Sequence, residues 1–213
     1  MDNSVIDAIK RWPNVPAAWG WLSLTCRGEW RLHPLGDATQ GGAGESISNE
    51  HITGFINRNY VGDGLGQWLF QNGPQKVYVR LDSTPYILRT SWGENGVERH
   101  ITTHNGLTIK SIQAWFVDQD GHVYALTDLG MGRVDDRDLM ALTAQLKTPL
   151  GQSLDDLWPT LAHSNGLFET HQTLALLGAN DPVLEQPRRL FVVDTVDTLA
   201  HHYSFTRNPI ADA

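Results

Sequence analysis

Apolar and polar residues alternate in short runs through much of the chain, and turn residues separate the runs. Alternation with a period of two marks half-buried strands. The segment WLSLTCRGEWRLH, residues 21–33, reads as two short strands about a turn at Arg27, Gly28 and Glu29. A three-residue loop there sets Cys26 opposite Trp30 and Leu24 opposite Leu32, giving one apolar face with Cys26 turned to the core. Further strands are expected over Gln67–Gln71, Lys76–Leu81, Tyr86–Ser91, Val97–His104, Leu107–Asp118 and His122–Thr127. Between them lie NGPQ at 72–75, DSTP at 82–85, ENG at 94–96, NG at 105–106 and DG at 120–121, all with turn chemistry. Connections this short join antiparallel neighbours, so they predict a meander and disfavour the crossover units of a Rossmann-type fold. A two-residue turn at Asp120 and Gly121 pairs Val117 with Tyr124 and Trp115 with Leu126, an apolar face throughout.

The period lengthens elsewhere. Ser48 or Asn49 caps a helix running to about Tyr60, and Asp135 caps another through about Lys147. In the second helix Val134 and Leu139 form a hydrophobic staple, and Leu139, Leu142 and Leu146 form the buried stripe. Ser153 and Asp156 begin a short helix that Pro159 ends or kinks, and Leu167–Leu177 reads as a third, closed by Gly178. Arg189–Val193 and His202–Thr206 read as final strands. The expected fold is α+β, a twisted antiparallel sheet (meander) with helices packed on one face, in a single compact domain over residues 1–213. A C-terminal helical subdomain from about 150 to 213 is the alternative.

Composition narrows the function classes. The chain has 213 residues, enough for a core without staples, and its single cysteine, Cys26, excludes an internal disulfide. The N-terminus has no apolar run of signal-peptide length, and no stretch is long and apolar enough to span a bilayer. A soluble, cytoplasmic protein is expected. A formal charge of -8 disfavours partners such as nucleic acid or an anionic membrane, which require a basic face. The glycine-rich segment GDATQGGAGES, residues 36–46, reads as a mobile loop, and without a following GK[ST] it is no phosphate-binding loop.

Candidate chemistry concentrates in residues 52–85. On a helix from His51 to Tyr60, Ile52, Phe55, Ile56 and Tyr60 share one side with Asn59 among them. A buried amide must be hydrogen-bonded, so Asn59 either ties down backbone or presents itself to a ligand. In KVYVRLD, Val77, Val79 and Leu81 share one face; Lys76, Tyr78, Arg80 and Asp82 share the other, and Arg89 lies on the next strand. That second face is either a surface for anions or an ordinary ion-paired sheet face. Among the nine histidines, His100 and His104 have the strongest spacing. In a strand, residues four apart lie roughly 13 Å apart, too far for one zinc ion. Neither a metal nor a cofactor is therefore expected, and Glu98, His100 and His104 are the face where a metal site would have to form. His171 reads as a core histidine of its helix. GxSxG, HExxH and CxxC do not occur.

The runs FINRNY, GQWLFQNGPQKVYVRLDSTP, DGHVYAL and VDDRDL resemble a family of proteobacterial proteins of about this size whose function is unknown. The likeness extends over most of the chain. It implies a bacterial, soluble, single-chain protein and carries no catalytic assignment. Two functions remain. The first is a non-enzymatic binding or accessory protein for a small polar or anionic ligand or a protein segment. Arg58, Arg80 and Arg89 supply charge, Asn59, Gln71 and Asn72 hydrogen bonds, and Trp68 and Tyr78 a stacking wall. The second is a small hydrolase or isomerase with His100 or His104 as general base, oriented by Glu98 or Asp82 and open to metal assistance. Sheet edges are compatible with a homodimer.

Overall fold

The computed structural model describes residues 1–92, 99–161, 165–179 and 181–211. It is an α+β fold in two compact units, one comprising Met1–Pro85 with Ser204–Ala213, the other Tyr86–Tyr203.

The first unit contains helices α1 (Asn3–Arg11) and α2 (Glu50–Arg58) and strands β1 (Ala18–Leu24), β2 (Trp30–Leu32), β3 (Glu45–Ser46), β4 (Tyr60–Gly62), β5 (Trp68–Asn72) and β6 (Gln75–Leu81). These form a six-stranded sheet in the order β3-β2-β1-β6-β5-β4. The sheet is mixed, since β1 lies parallel to β6. Helix α2 starts where expected: the Asn49 side chain accepts the His51 and Ile52 amides and satisfies two of the free donors of the first turn. Helix α1 is an element the alternation did not predict; it buries only Val5 deeply and keeps its polar residues in solvent.

Two local expectations fail here for the same reason, a side chain that takes over backbone hydrogen bonds. The Thr25 hydroxyl accepts the amides of Arg27 and Glu29, and the Thr25 amide donates to Glu29 O at 2.9 Å. The loop therefore starts at Thr25, Leu24 pairs with Trp30 and Leu22 with Leu32, and Cys26 sits half-buried in the loop instead of facing the core. The glycine-rich segment is also not loose. It contains a 3-10 turn (Ala38–Gln40), and Arg80 donates to Ala38 O and Gly42 O at 2.8 and 3.2 Å while the Asn208 amide donates to Thr39 O.

The second unit contains β7 (Tyr86–Trp92), β8 (Arg99–Thr103), β9 (Ile112–Asp118), β10 (Val123–Thr127), β11 (Gly130–Val134), α3 (Asp136–Thr143), β12 (Leu146–Lys147), α4 (Leu154–Leu157), β13 (Leu167–Leu176), β14 (Arg188–Val193) and α5 (Val196–His202). Its eight-stranded sheet runs β12-β13-β14-β9-β10-β11-β7-β8. Sequential antiparallel neighbours form the runs β9-β10-β11 and β12-β13-β14 and the pair β7-β8, but the runs join through parallel pairings, β7 with β11 and β14 with β9. The short DSTP turn misled because β6 and β7 are not neighbours: the chain leaves one sheet at Leu81 and enters the other at Tyr86. The expected turn at 94–96 and the positions Val97 and Glu98 lie outside the described residues.

Further corrections follow from tertiary pairing. Leu167–Leu177, expected as a helix, is strand β13, held between β14 and β12, with the Thr170 hydroxyl donating to Leu190 O at 2.7 Å. The β-branched Thr170 and Thr173 suit that pairing, which overrides the helical spacing of the leucines. His171 consequently stands exposed on a strand. The helix capped by Asp135 stops at Thr143 because Leu146 and Lys147 pair with Leu176 and Ala175. His202–Thr206 is not a strand: Thr195 caps α5 by accepting the Thr198 amide at 3.3 Å. In the β9-β10 hairpin the Asp118 carboxylate accepts the amides of Asp120 and His122 and widens the turn. Val117 therefore pairs with Val123 and Phe116 with Tyr124, one residue from the expected register. The slip costs little, because β9 and β10 are buried on both faces.

Candidate functional site

Helix α2 lies against β5, where Phe55 and Phe70 meet edge to face at 5.5 Å. Asn57 reaches past it to accept the Trp30 indole N–H at 2.7 Å. The helix thus covers part of one sheet face and leaves a cavity of about 580 Å³ beside it. Ala18, Leu22, Leu32 and Val77 form the floor, Ile52, Phe55 and Ile56 the α2 wall, and Trp21 and Ile47 the opposite rim. Asn72 and Gln75, the ends of the β5-β6 hairpin, supply the amides. Trp21, Leu32 and Ile52 are 46%, 43% and 51% exposed, so apolar surface stays in water along this mouth. The volume and lining match those of small-molecule sites.

A bulge places Trp21. Ala18 pairs with Val77 and Leu22 with Val79, so four steps along β1 span two along β6. Gly20 makes this possible at φ 82°, and a Cβ there would lie 2.3 Å from Gly36 O. The irregularity brings Trp21 and Leu22, adjacent in sequence, to the same cavity.

Of the eight residues expected as a site, Asn72 lines the cavity, Gln71 donates to Gly73 O at 2.9 Å, and the other six do not converge. Arg58, at the end of α2, pairs with Asp2 at 3.1 Å and draws its carboxyl below the usual range. Asn59 is fully buried at the helix end; its Oδ1 accepts the Asp2 amide at 2.9 Å and its Nδ2 donates to Phe55 O at 2.9 Å. Trp68 packs on Tyr60 at 5.1 Å between ring centroids. Tyr78 stacks on Trp19 at 5.0 Å and 8°. Because Val77 lines the cavity, alternation along β6 places Tyr78 and Arg80 together on the opposite face, away from α2. Arg80 holds the glycine-rich segment and Asp82, the latter at 2.7 Å. Arg89 belongs to the second unit, where its Nε lies 3.4 Å from Asp135.

Of the proposed general bases, His104 is buried, its Nδ1 accepts the Ile87 amide at 3.3 Å, and its ring lies 6.2 Å from that of Tyr86. Burial, reinforced by the Arg89 charge, holds it down to about 3, so it is neutral at pH 7. Among the described residues one group has metal-ligand spacing, Asp118, Asp120 and His122. Hairpin bonds account for its geometry: Asp118 also accepts the His122 Nδ1 proton at 2.8 Å and the Tyr124 hydroxyl at 2.7 Å.

An arrangement that sequence reading missed lies in the first unit. Ser23 Oγ is 2.9 Å from His33 Nε2, and His33 Nδ1 is 3.2 Å from Asp37 Oδ1. With Asp37 ionised, Nδ1 carries the proton and Nε2 accepts from the serine. This is the bonding order of a Ser-His-Asp relay. Ser23 and His33 have no exposed surface, and a Cβ on Gly44 would lie 2.7 Å from Nε2, so that loop backbone closes directly over the pair. No sequence spacing signals the trio, because a β-hairpin and a 3-10 turn assemble it.

A family described as "Protein of unknown function (DUF2946)" matches residues 1–210, and the chain belongs to that family. No curated protein matches the chain. Its fold is similar to that of a DUF1285 family protein from Silicibacter pomeroyi DSS-3, with 13% identity and a TM-score of 0.50 over 93% of this chain and 98% of that one. A DUF1285 family protein from Shewanella baltica OS155 matches at 12% identity and a TM-score of 0.38, over 57% of this chain and 89% of that one. The first likeness extends to the fold alone.

Proposed function

We propose that the protein is a non-enzymatic binding protein whose site is the cavity between α2 and the six-stranded sheet. The observation that carries this reading is the cavity itself, about 580 Å³ with an almost wholly apolar lining and two amides at one end. The arginines that pointed to a polar or anionic ligand are engaged with Asp2, loop carbonyls and Asp135. Apolar surface left half in water is the larger resource for binding, at about 25 cal/mol per Å² removed from solvent. A thermal-shift screen of small amphipathic molecules tests the reading, since a ligand at one hundred times its Kd adds about 2.7 kcal/mol. Stabilisation should vanish in Ile52→Asp, which places a charge on the cavity wall at a half-exposed position. Stabilisers that act equally on that variant would refute the assignment.

A second reading, hydrolysis, is supported by the Ser23-His33-Asp37 distances. It requires the glycine-rich segment to lift, because a nucleophile must reach a carbonyl carbon. A fluorophosphonate probe decides: labelling that disappears in Ser23→Ala favours the hydrolase, and an unlabelled protein leaves the trio as a buried tether between β1 and the loop.

A further inference from the structure

We infer that the ligand of this cavity is an uncharged amphiphile, with an apolar body between Trp21 and Phe55 and a hydroxyl or carboxamide head beside Gln75. The inference rests on the binding function proposed above and names its ligand class. No ionisable side chain is among those lining the cavity. Of the cations next to lining positions, Lys76 falls on the opposite face of β6 from Gln75 and Val77, Arg31 pairs with Glu29 at 3.6 Å, and Arg58 is tied to Asp2. A carboxylate or ammonium group drawn against this lining would lose water without gaining a counter-charge. A hydroxyl or primary amide loses less, and the rim has the bonds to replace that water. Gln75 Nε2 donates one of its two protons to Pro16 O at 3.3 Å, which fixes the side chain at the rim and leaves Oε1 to accept and the second N–H to donate. An alcohol or carboxamide head, which both donates and accepts, matches that side chain. The body is placed by the β1 bulge, which swings Trp21 over the floor of Leu22 and Val77.

Three ligands of one chain length separate the possibilities: decan-1-ol, decanoate and decylammonium, titrated calorimetrically into the protein at pH 7, the alcohol below its solubility limit and the ions below their micellar concentrations. Decan-1-ol is expected to bind one to one and at least ten times more tightly than either ion. Trp21→Ala should weaken it tenfold or more without changing that order. Gln75→Glu, which keeps the length and replaces the amide with a charge, should raise decylammonium affinity about tenfold relative to decan-1-ol. Decanoate or decylammonium binding as tightly as the alcohol, with loss of all binding in Ile52→Asp, would overturn the ligand class and keep the cavity as the site. Absence of binding by all three ligands would overturn the inference together with the binding function, and an unaltered preference in Gln75→Glu would overturn the head-group contact.

Discussion

Asn59→Leu tests whether the most deeply placed amide of the first unit is a tether. The side chain has no exposed surface and sits where α2 ends. Its Oδ1 accepts the Asp2 backbone N–H and its Nδ2 donates to Phe55 O, both at 2.9 Å. Phe55 O belongs to the last turn of the helix, where carbonyls lack helical partners. Leucine keeps the branched shape and is the larger side chain, so the substitution removes bonds without opening a cavity. Two neutral bonds at about 1 kcal/mol each, plus incomplete rehydration of the stranded amide and carbonyl, give an expected loss of about 2 to 3 kcal/mol. With a urea slope of about 2 kcal/mol per M, the unfolding midpoint should fall by about 1 M. Arg58→Ala is the control, because it removes a pair whose arginine side chain is 60% exposed and should cost only a fraction as much. Hydrogen exchange supplies a second measurement: the α1 amides should lose protection before those of β5 and β6, since Asn59 anchors the residue that precedes α1. A midpoint equal to that of Arg58→Ala would refute the tether.

His104 should make stability depend on pH. Its folded value near 3 lies below the unfolded value near 6.5, so its neutral burial contributes fully above pH 6.5 and is lost progressively as the pH falls toward 3. The slope approaches about 1.4 kcal/mol per pH unit; urea midpoints at pH 7, 6 and 5 should show it, and His104→Asn should flatten it. Asp135 has the opposite chemistry and the same direction. Burial alone would raise its carboxyl, but side-chain and backbone hydrogen bonds from Arg137 and the charges of Arg137 and Arg89 hold it low. Its contribution is present above about pH 4 and lost below it, and Arg137→Ala should move the acid-unfolding midpoint upward; an unmoved midpoint would contradict the assignment. Gly20→Ala should lower stability by more than about 2 kcal/mol, combining left-handed strain with a backbone collision. Gly36→Ala has a positive φ but a nearest contact of 3.8 Å, to the Trp21 ring, so it should cost clearly less in the same thermal-unfolding series.

The parts of the fold legible in the sequence were those whose cause is local. Asn49 and Asp135 capped helices, the NGPQ turn joined β5 to β6, and Ser153 with Asp156 made its capping box, because each depends on residues a few positions apart. Parallel pairings were not legible. Strand β1 meets β6 and β9 meets β14 across long intervening segments, and no turn announces either meeting. The same distance explains β13, whose leucines have helical spacing but whose partners lie on β14 and β12.

The candidate site divides along the same line. Asn59 was visible because its place on α2 follows from 100° per residue, which made it a buried amide before its partner was known. The arginines misdirected because a cation in the sequence does not reveal which group neutralises it. Arg58 finds Asp2 across 56 residues, and Arg80 finds Ala38 O across 42. Exposed apolar area differs, because no short-range partner can remove it. Trp21, Leu32 and Ile52 come from three separate segments, and each alone is an unremarkable surface residue. The bulge at Gly20 and the first turn of α2 bring them around one hollow, where their shared exposure becomes a resource for binding. Charge therefore marks groups the protein has already used, and the apolar surface left uncovered marks the cavity.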